Sequence, residues 1–207
     1  MSFGNRWEGS QKEPLSKSIK NAIVPPGSLK PRMEYAGKRI QQQITKLDQE
    51  SKRMEERDKG LFAKVVDAYQ KHDTQHANIY ANELAELRKM NKMVMNAKLA
   101  LDQIALRIEA VTELGDIAYT LLPAIGVIRD VMHGMAGVNP QIAKEMGEIG
   151  NILSGIVMDA GSVGGLSLNF QSANEDSAKI MEEAQMVAEK RMKDTFPELP
   201  GAGKVPI

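Results

Sequence analysis

The chain has 207 residues, 42% of them hydrophobic but only 4% aromatic, and no cysteine. The missing thiols exclude a disulfide framework, a thiolate metal site and a thiol nucleophile, and they suit a reducing interior. Net charge is zero but unevenly spread: residues 1–113 carry 20 Lys/Arg against 15 Asp/Glu, and residues 114–207 carry 7 against 12. That asymmetry points to an anionic partner for the first half and permits the acidic half to fold back on the basic one.

Met, Leu, Ile and Ala supply the apolar content, and with Glu, Lys, Gln and Arg they are good helix formers, so long helices are expected. No run of about 18 apolar residues could span a bilayer. The first residues, Met1 to Trp7, lack the apolar stretch of a signal peptide. A cytoplasmic protein is expected.

In chain order, residues 1–31 read as a flexible N-terminal segment. Within it Leu15, Ile19, Ala22 and Ile23 fall at helical spacing among Lys12, Lys17 and Lys20, and Pro25-Pro26-Gly27 stops any helix. With Phe3 and Trp7, this short basic amphipathic stretch is a candidate for a membrane interface. From residue 32 to about 72, Met33, Ile40, Leu47, Met54, Leu61 and Ala68 recur every seven residues, with Ile44 and Val65 on the adjoining row. Gly37, Ser51 and Asp58 interrupt that second row, so the seam is imperfect. A helix of this span would be about 60 Å long at about 1.5 Å per residue.

His72-Asp73-Thr74-Gln75-His76 breaks the stripe, and a second follows in Tyr80, Leu87, Val94, Leu101 and Ile108, joined by Met90, Ala97, Ile104 and Val111. Two apolar stripes of similar length across a short polar connection predict an antiparallel helical hairpin. Leu84, Met93, Met95, Leu99 and Leu106 lie off this seam, and must be covered by the rest of the chain or by another copy. They are the candidate polymer contacts.

Gly115-Asp116 marks a break before a shorter helix from Ile117 to Met135, in which Pro123 forces a kink or a second start. Asn139 as cap and Pro140 at the first helical position open a cleaner one, with the stripe Ile142, Met146, Ile149, Leu153, Ile156 and Ala160. Residues 161–171 are expected to be a linker. Ser172-Ala173-Asn174-Glu175 reads as a capping box opening an acidic helix over 172–194. Residues 195–207 form a proline-containing tail whose low conformational freedom favours extended docking. The helical core spans 32–160, and the fold class is all-α.

Motifs of chemistry are weak. His72 and His76 sit four apart, the spacing of paired ligands on a helix, but without a third ligand nearby they read as part of a solvated turn. Gly161-Ser162-Val163-Gly164-Gly165 has no following Lys-Ser/Thr pair, and Gly201-Ala202-Gly203-Lys204 has no helix after it, so neither is a phosphate loop. There are no Glu-x-x-His pairs of a di-iron bundle and no Gly-x-Ser-x-Gly elbow. No enzyme and no cofactor are expected. The basic residues of the first helix, Arg32, Lys38 and Arg39 among them, are interleaved with acids, which suits an anionic membrane surface better than nucleic acid.

Ala81-Asn82-Glu83-Leu84-Ala85-Glu86-Leu87-Arg88-Lys89-Met90 and Ala110-Val111-Thr112-Glu113-Leu114-Gly115-Asp116, within this helical order, resemble the archaeal cell-division (CdvB) branch of the ESCRT-III family over roughly residues 20–200. The resemblance implies a filament-forming protein that polymerises on membranes to constrict a division neck, on the inner face of the cell membrane at the division site. It implies self-assembly, co-assembly with CdvB paralogues, an acidic end that restrains assembly, and removal of subunits by the AAA ATPase CdvC. The proline-type docking motif for that ATPase's MIT domain is matched by Phe196, Pro197, Leu199 and Pro200, with Val205 and Pro206 beyond. The chain ends at Ile207 without the winged-helix segment by which some CdvB proteins bind the adaptor CdvA, so membrane contact is expected from Phe3, Trp7, Lys12, Leu15, Lys17, Ile19, Lys20, Arg32, Lys38 and Arg39. The alternative is a soluble coiled-coil scaffold or adaptor that never touches lipid.

Overall fold

A computed structural model describes residues 29–111, 114–164 and 170–197, with backbone alone at 114–118, 161–164 and 170–172. The described residues form five helices: α1 (Leu29–Gln70), α2 (Thr74–Glu109), α3 (Leu114–Met135), α4 (Pro140–Gly164) and α5 (Phe170–Thr195). No strand occurs among them. The all-α class expected from composition is the one observed.

α1 and α2 make the antiparallel hairpin. Its seam holds the whole seven-residue row, Met33, Ile40, Leu47, Met54, Leu61 and Ala68, all buried. Leu87, Val94, Leu101 and Ile108 bury from the α2 side, while Tyr80 stays half-exposed. Each fully buried Leu or Ile contributes about 1.5–3 kcal/mol relative to exposure. Two of the three interruptions, Ser51 and Asp58, are also buried, and each finds a partner on α2. Ser51 Oγ donates to Asn91 Oδ1 at 2.8 Å, and Asp58 accepts a two-pronged bond from Arg88 at 2.6 and 3.1 Å. Polar layers of this kind penalise every other register of the hairpin.

The turn is built from backbone hydrogen bonds. Asp73 N–H donates to Ala68 O (2.9 Å) and His72 N–H to Tyr69 O (3.1 Å), the paired bonds that close a helix C-terminus around a left-handed residue. That residue is His72, at φ 58°, where glycine is the usual occupant. Asp73 then caps α2 by accepting from His76 N–H at 3.1 Å, and its other oxygen meets His76 Nδ1 at 2.7 Å. The two histidines thus sit in the turn, one as its corner and the other bound to its cap.

α3 and α4 form a second, shorter hairpin laid back along the first, α3 against α2 and α4 against α1. Asn139 caps α4 as expected: its Oδ1 accepts from Ile142 N–H at 3.2 Å, with Pro140 at the first helical position. The stripe Ile142, Met146, Ile149, Leu153, Ile156 and Ala160 is buried throughout. α3 runs unbroken through Pro123, without the second start that proline predicts. The proline removes the donor that would reach the carbonyl of Tyr119, and Tyr119 stands 70% exposed, where water can replace it.

α5 lies in the groove between α2 and α3. Over residues 173–195 its buried face is narrow and mostly small: Ala173, Ser177, Ile180, Ala184 and Ala188. The expected linker, 161–171, is helical at both ends, because α4 continues to Gly164 and α5 opens at Phe170. A glycine costs a helix about 1 kcal/mol but does not by itself end one. Ser172 therefore lies inside α5, two residues past its start.

Candidate functional site

The charge asymmetry of the sequence becomes a geometric relation. One row of basic residues on α1 faces acids of α4: Arg32 pairs with Asp159, Arg39 with Glu148 at 3.0 Å, and Lys46 with Glu145 at 2.5 Å. The seven-residue spacing of Arg32, Arg39 and Lys46 puts them on one side of α1, beside the seam. Glu145 also accepts from Gln43, a fully buried amide, and from Gln141 at 3.1 Å. The Lys46 ammonium chiefly, with Gln141 and Gln43 adding to it, holds the Glu145 carboxyl down at about 2.

A second set ties α5 to α2. Lys92 meets Glu189 at 2.5 Å, and Gln103 reaches Glu183 at 3.5 Å. Within the hairpin Asp48 takes Lys52 at 2.7 Å and Lys98 besides, and the hydrogen bond from Lys52, then that from Lys98, brings its carboxyl to about 2. Asp102 on α2 goes the other way, its carboxyl raised by burial. At the far end of α5 the Arg88 guanidinium, already committed to Asp58, donates through Nη1 to Pro197 O at 2.7 Å and lies 5.2 Å from the Phe196 ring centroid.

The candidate residues sort by this geometry. Of the basic candidates, Arg32 and Arg39 are engaged with α4, and Lys38 is exposed. Phe3, Trp7, Lys12, Leu15, Lys17, Ile19 and Lys20 lie outside the described residues, as do Leu199, Pro200, Val205 and Pro206. Among the candidate polymer contacts, Leu84 is fully buried and Met95 is 8% exposed, so in this packing neither can meet another copy. Leu84 is a seam residue. An α-helix drifts by about 20° per heptad against a strict seven-residue repeat, so near the turn the second row of α2 runs through Ala77, Leu84 and Asn91. Met95 lines a cleft with Arg191 and Thr195 of α5. Met93 and Leu99 are half-buried against the core, and Leu106 is 68% exposed.

Sequence periodicity alone missed five exposed apolar positions among the described residues, Tyr35, Ile79, Tyr119, Met158 and Met186, each more than half accessible. It also missed the Arg88 contact with the tail, for which the only signal was the buried charge at Asp58 that demands a partner. Among the described residues there is no cluster of three His, Asp or Glu side chains that could hold a metal ion, and no helix is long and apolar enough to cross a membrane.

The arrangement defines a class: a long helical hairpin with a shorter one folded along it, and an acidic last helix seated across both. No known family's sequence profile matches the chain, and no solved structure matches it. It is 42% identical over 201 residues to cell division protein B1 of Sulfolobus acidocaldarius, covering 97% of this chain and 91% of that protein. It is 32% identical over 162 residues to cell division protein B of the same organism, covering 78% of this chain and 62% of the relative's length. The chain belongs to the cell division protein B (CdvB) type of the ESCRT-III family.

Proposed function

We propose that this chain is a filament-forming subunit of a division machinery, folded shut in the state described, that opens on an anionic membrane and assembles with further copies of itself and with related CdvB-type chains. The remodelling work then comes from polymer assembly, without chemistry of its own. Its place is the cytoplasm, peripheral on the inner face of the cell membrane at the division site. The supporting observation is the basic row Arg32, Arg39 and Lys46, engaged by acids of α4 rather than free to meet lipid. A cation of this kind is worth about 1 kcal/mol at an anionic surface, so an opened row plus the basic segment before α1 competes with the internal pairs. Multivalency in a polymer multiplies a weak single-copy affinity.

In the same reading 1–31 is the membrane-contacting segment, 32–160 the assembly core, and the tail after Thr195 the docking peptide. Phe196, Pro197, Leu199, Pro200, Val205 and Pro206 are taken by the MIT domain of the AAA ATPase CdvC, which recycles subunits. Leu106, with Met93 and Leu99 once α5 moves, supplies apolar contact between copies.

Co-sedimentation with anionic vesicles tests this reading. Binding at low salt that weakens on deletion of 1–31 is the expected result. No binding at low salt, with or without that segment, would favour a scaffold that never touches lipid. For the tail, Leu199→Ala should weaken binding of the CdvC MIT domain and leave assembly intact; unchanged affinity would reject the assignment.

A further inference from the structure

The side of α1 that turns away from α4 is left open at the mouth of the hairpin. Arg32, Arg39 and Lys46 form the row that meets α4, and Lys30, Glu34, Gly37 and Gln41 lie about half a turn round the helix from it. There α1 and the last turns of α2 enclose a groove of about 440 Å³. Its floor is apolar: Met33, Gly37, Ala105 and Ile108, with Val111 at the end. Its rim sets Lys30 and Lys38 against Glu34 and Glu109, so net charge neither favours nor refuses an occupant. Gly37 is the remaining interruption of the α1 seam. A Cβ there would meet nothing nearer than Ile108 Cγ2 at 3.8 Å, an ordinary contact, so the packing of α1 on α2 does not require a glycine that weakens the helix. What glycine supplies at this position is depth in the groove floor.

We infer that this groove seats the segment just before α1, with Leu15, Ile19, Ala22 and Ile23 against its floor. Residues 1–28 lie outside the described residues, but the chain enters α1 at Leu29, beside Lys30 of the groove rim. Pro25-Pro26-Gly27-Ser28 stands between the amphipathic stretch and that entry, enough chain to reverse its direction. The four apolar residues fall at i, i+4, i+7 and i+8, one face of a helix. A helix over 15–24 would be about 15 Å long, and the groove follows α1 from Lys30 to Gln41 for about 17 Å, at about 1.5 Å per residue. A cavity of about 150 Å³ takes one benzene ring. The groove therefore has room for Leu15, Ile19 and Ile23 together. A second copy is the rival occupant, but only the chain's own segment is tethered at the groove, which gives it a high effective concentration there. This deepens the membrane reading given above, and rests on it for what the segment meets on leaving: the apolar row that enters lipid is the row that fills the groove, so each excludes the other. The walls come from α1, α2 and Val111 just past α2, so the seat does not depend on α5.

Amide hydrogen exchange on the full chain, without lipid, reads the seat, and a synthetic peptide of residues 1–28 gives the unseated rate. Amides of 15–24 should exchange at least about tenfold more slowly in the chain than in the peptide, because a helix this short is protected only by what it packs on. The slowing should not vary with protein concentration. Gly37→Ala should lose part of it, and Gly37→Leu and Ile19→Asp nearly all, while the hairpin amides keep their protection. Exchange in the unaltered chain as fast as in the peptide overturns the seat. Protection that appears only at high concentration overturns it too, and makes a second copy the occupant. Should Gly37→Leu unfold the hairpin, Gly37→Ala decides, since its Cβ fits without strain; protection unchanged in that variant overturns the seat. Co-sedimentation with anionic vesicles then separates the two readings. Gly37→Leu should bind several-fold more tightly than the unaltered chain at low salt, because its segment is already free. Equal binding of the two, beside exchange that shows the segment released, overturns the exclusion between groove and lipid. If exchange is as expected and deletion of 1–31 leaves vesicle binding unchanged, the membrane reading fails and the groove assignment stands.

Discussion

Ser177 of α5 leans on Gly126 of α3 so closely that a Cβ at position 126 would fall 2.8 Å from its Oγ and 2.9 Å from its Cβ. The contact shows how α5 is seated. Over residues 173–195 its buried face is mostly alanine and serine, with Ile180 the one large fully buried side chain, so that stretch removes little apolar area from water. Close approach at Gly126 substitutes for bulk.

Gly126→Ala should therefore unseat α5 selectively. Overpacking of this kind costs about 1–3 kcal/mol, and the rigid body of α3 cannot yield as easily as a helix held by small side chains. Hydrogen exchange is expected to rise across residues 173–195 while the amides of α1 and α2 keep their protection. A uniform rise over the hairpin would contradict the light seating of α5.

Acid should loosen the α1–α4 seam in a defined window. The Glu145 carboxyl sits at about 2 in the folded chain against an ordinary 4.5, so it is the folded state that favours the ionised form. Such a group contributes stability that is fully present above the ordinary value and is lost as pH falls from there through the folded value. Stability should decline as pH drops below about 4.5 toward 2, and Glu145→Gln should flatten part of that decline. Chemical denaturation at a series of pH values measures it, and an unchanged slope in the variant would count against the Lys46–Glu145 pair as its source.

His72 occupies a left-handed corner that glycine, lacking a Cβ, adopts without strain. His72→Gly should leave the turn in place and stabilise the chain slightly, by up to about 1 kcal/mol, less the entropy glycine returns to the unfolded state. A thermal melt reads the sign. Loss of stability would mean that the imidazole contributes something the backbone does not reveal.

The Ser51–Asn91 layer trades stability for register. Its bond is 2.8 Å long, yet Asn91 Nδ2 is buried with no partner. Ser51→Ala alone leaves Asn91 Oδ1 unpaired as well and should cost about 1–3 kcal/mol. Ser51→Ala with Asn91→Leu removes both polar groups and should recover most of that loss. A double variant no more stable than the single one would show that the layer is worth more than its one bond.

Much of this architecture was legible in the sequence because it depends on periodicity. The row from Met33 to Ala68 and the cap-and-proline start at Asn139-Pro140 are local patterns with one physical meaning each, and both stand in the fold. What was not legible depends on relations between distant elements. Leu84 looked surplus because a fixed seven-residue repeat hides the drift of a straight helix, and only the partner α1 shows which row it joins. The end of α4 and the start of α5 were misplaced because Gly161 and Ser172 are weak signals, and a glycine lowers helix propensity without ending a helix. The pairing of Arg32, Arg39 and Lys46 with α4 was foreshadowed by the charge imbalance, but the partner of each could not be read from composition.

The most direct measurement is co-sedimentation of the full chain with anionic vesicles, paired with electron microscopy of the pellet, for the unaltered sequence and for Gly126→Ala. If a shut subunit opens to assemble on lipid, filaments should form on the vesicles at low salt, and the loosened variant should form them at lower protein concentration. A chain that stays monomeric and unbound in both forms, at every salt and protein concentration, would contradict it.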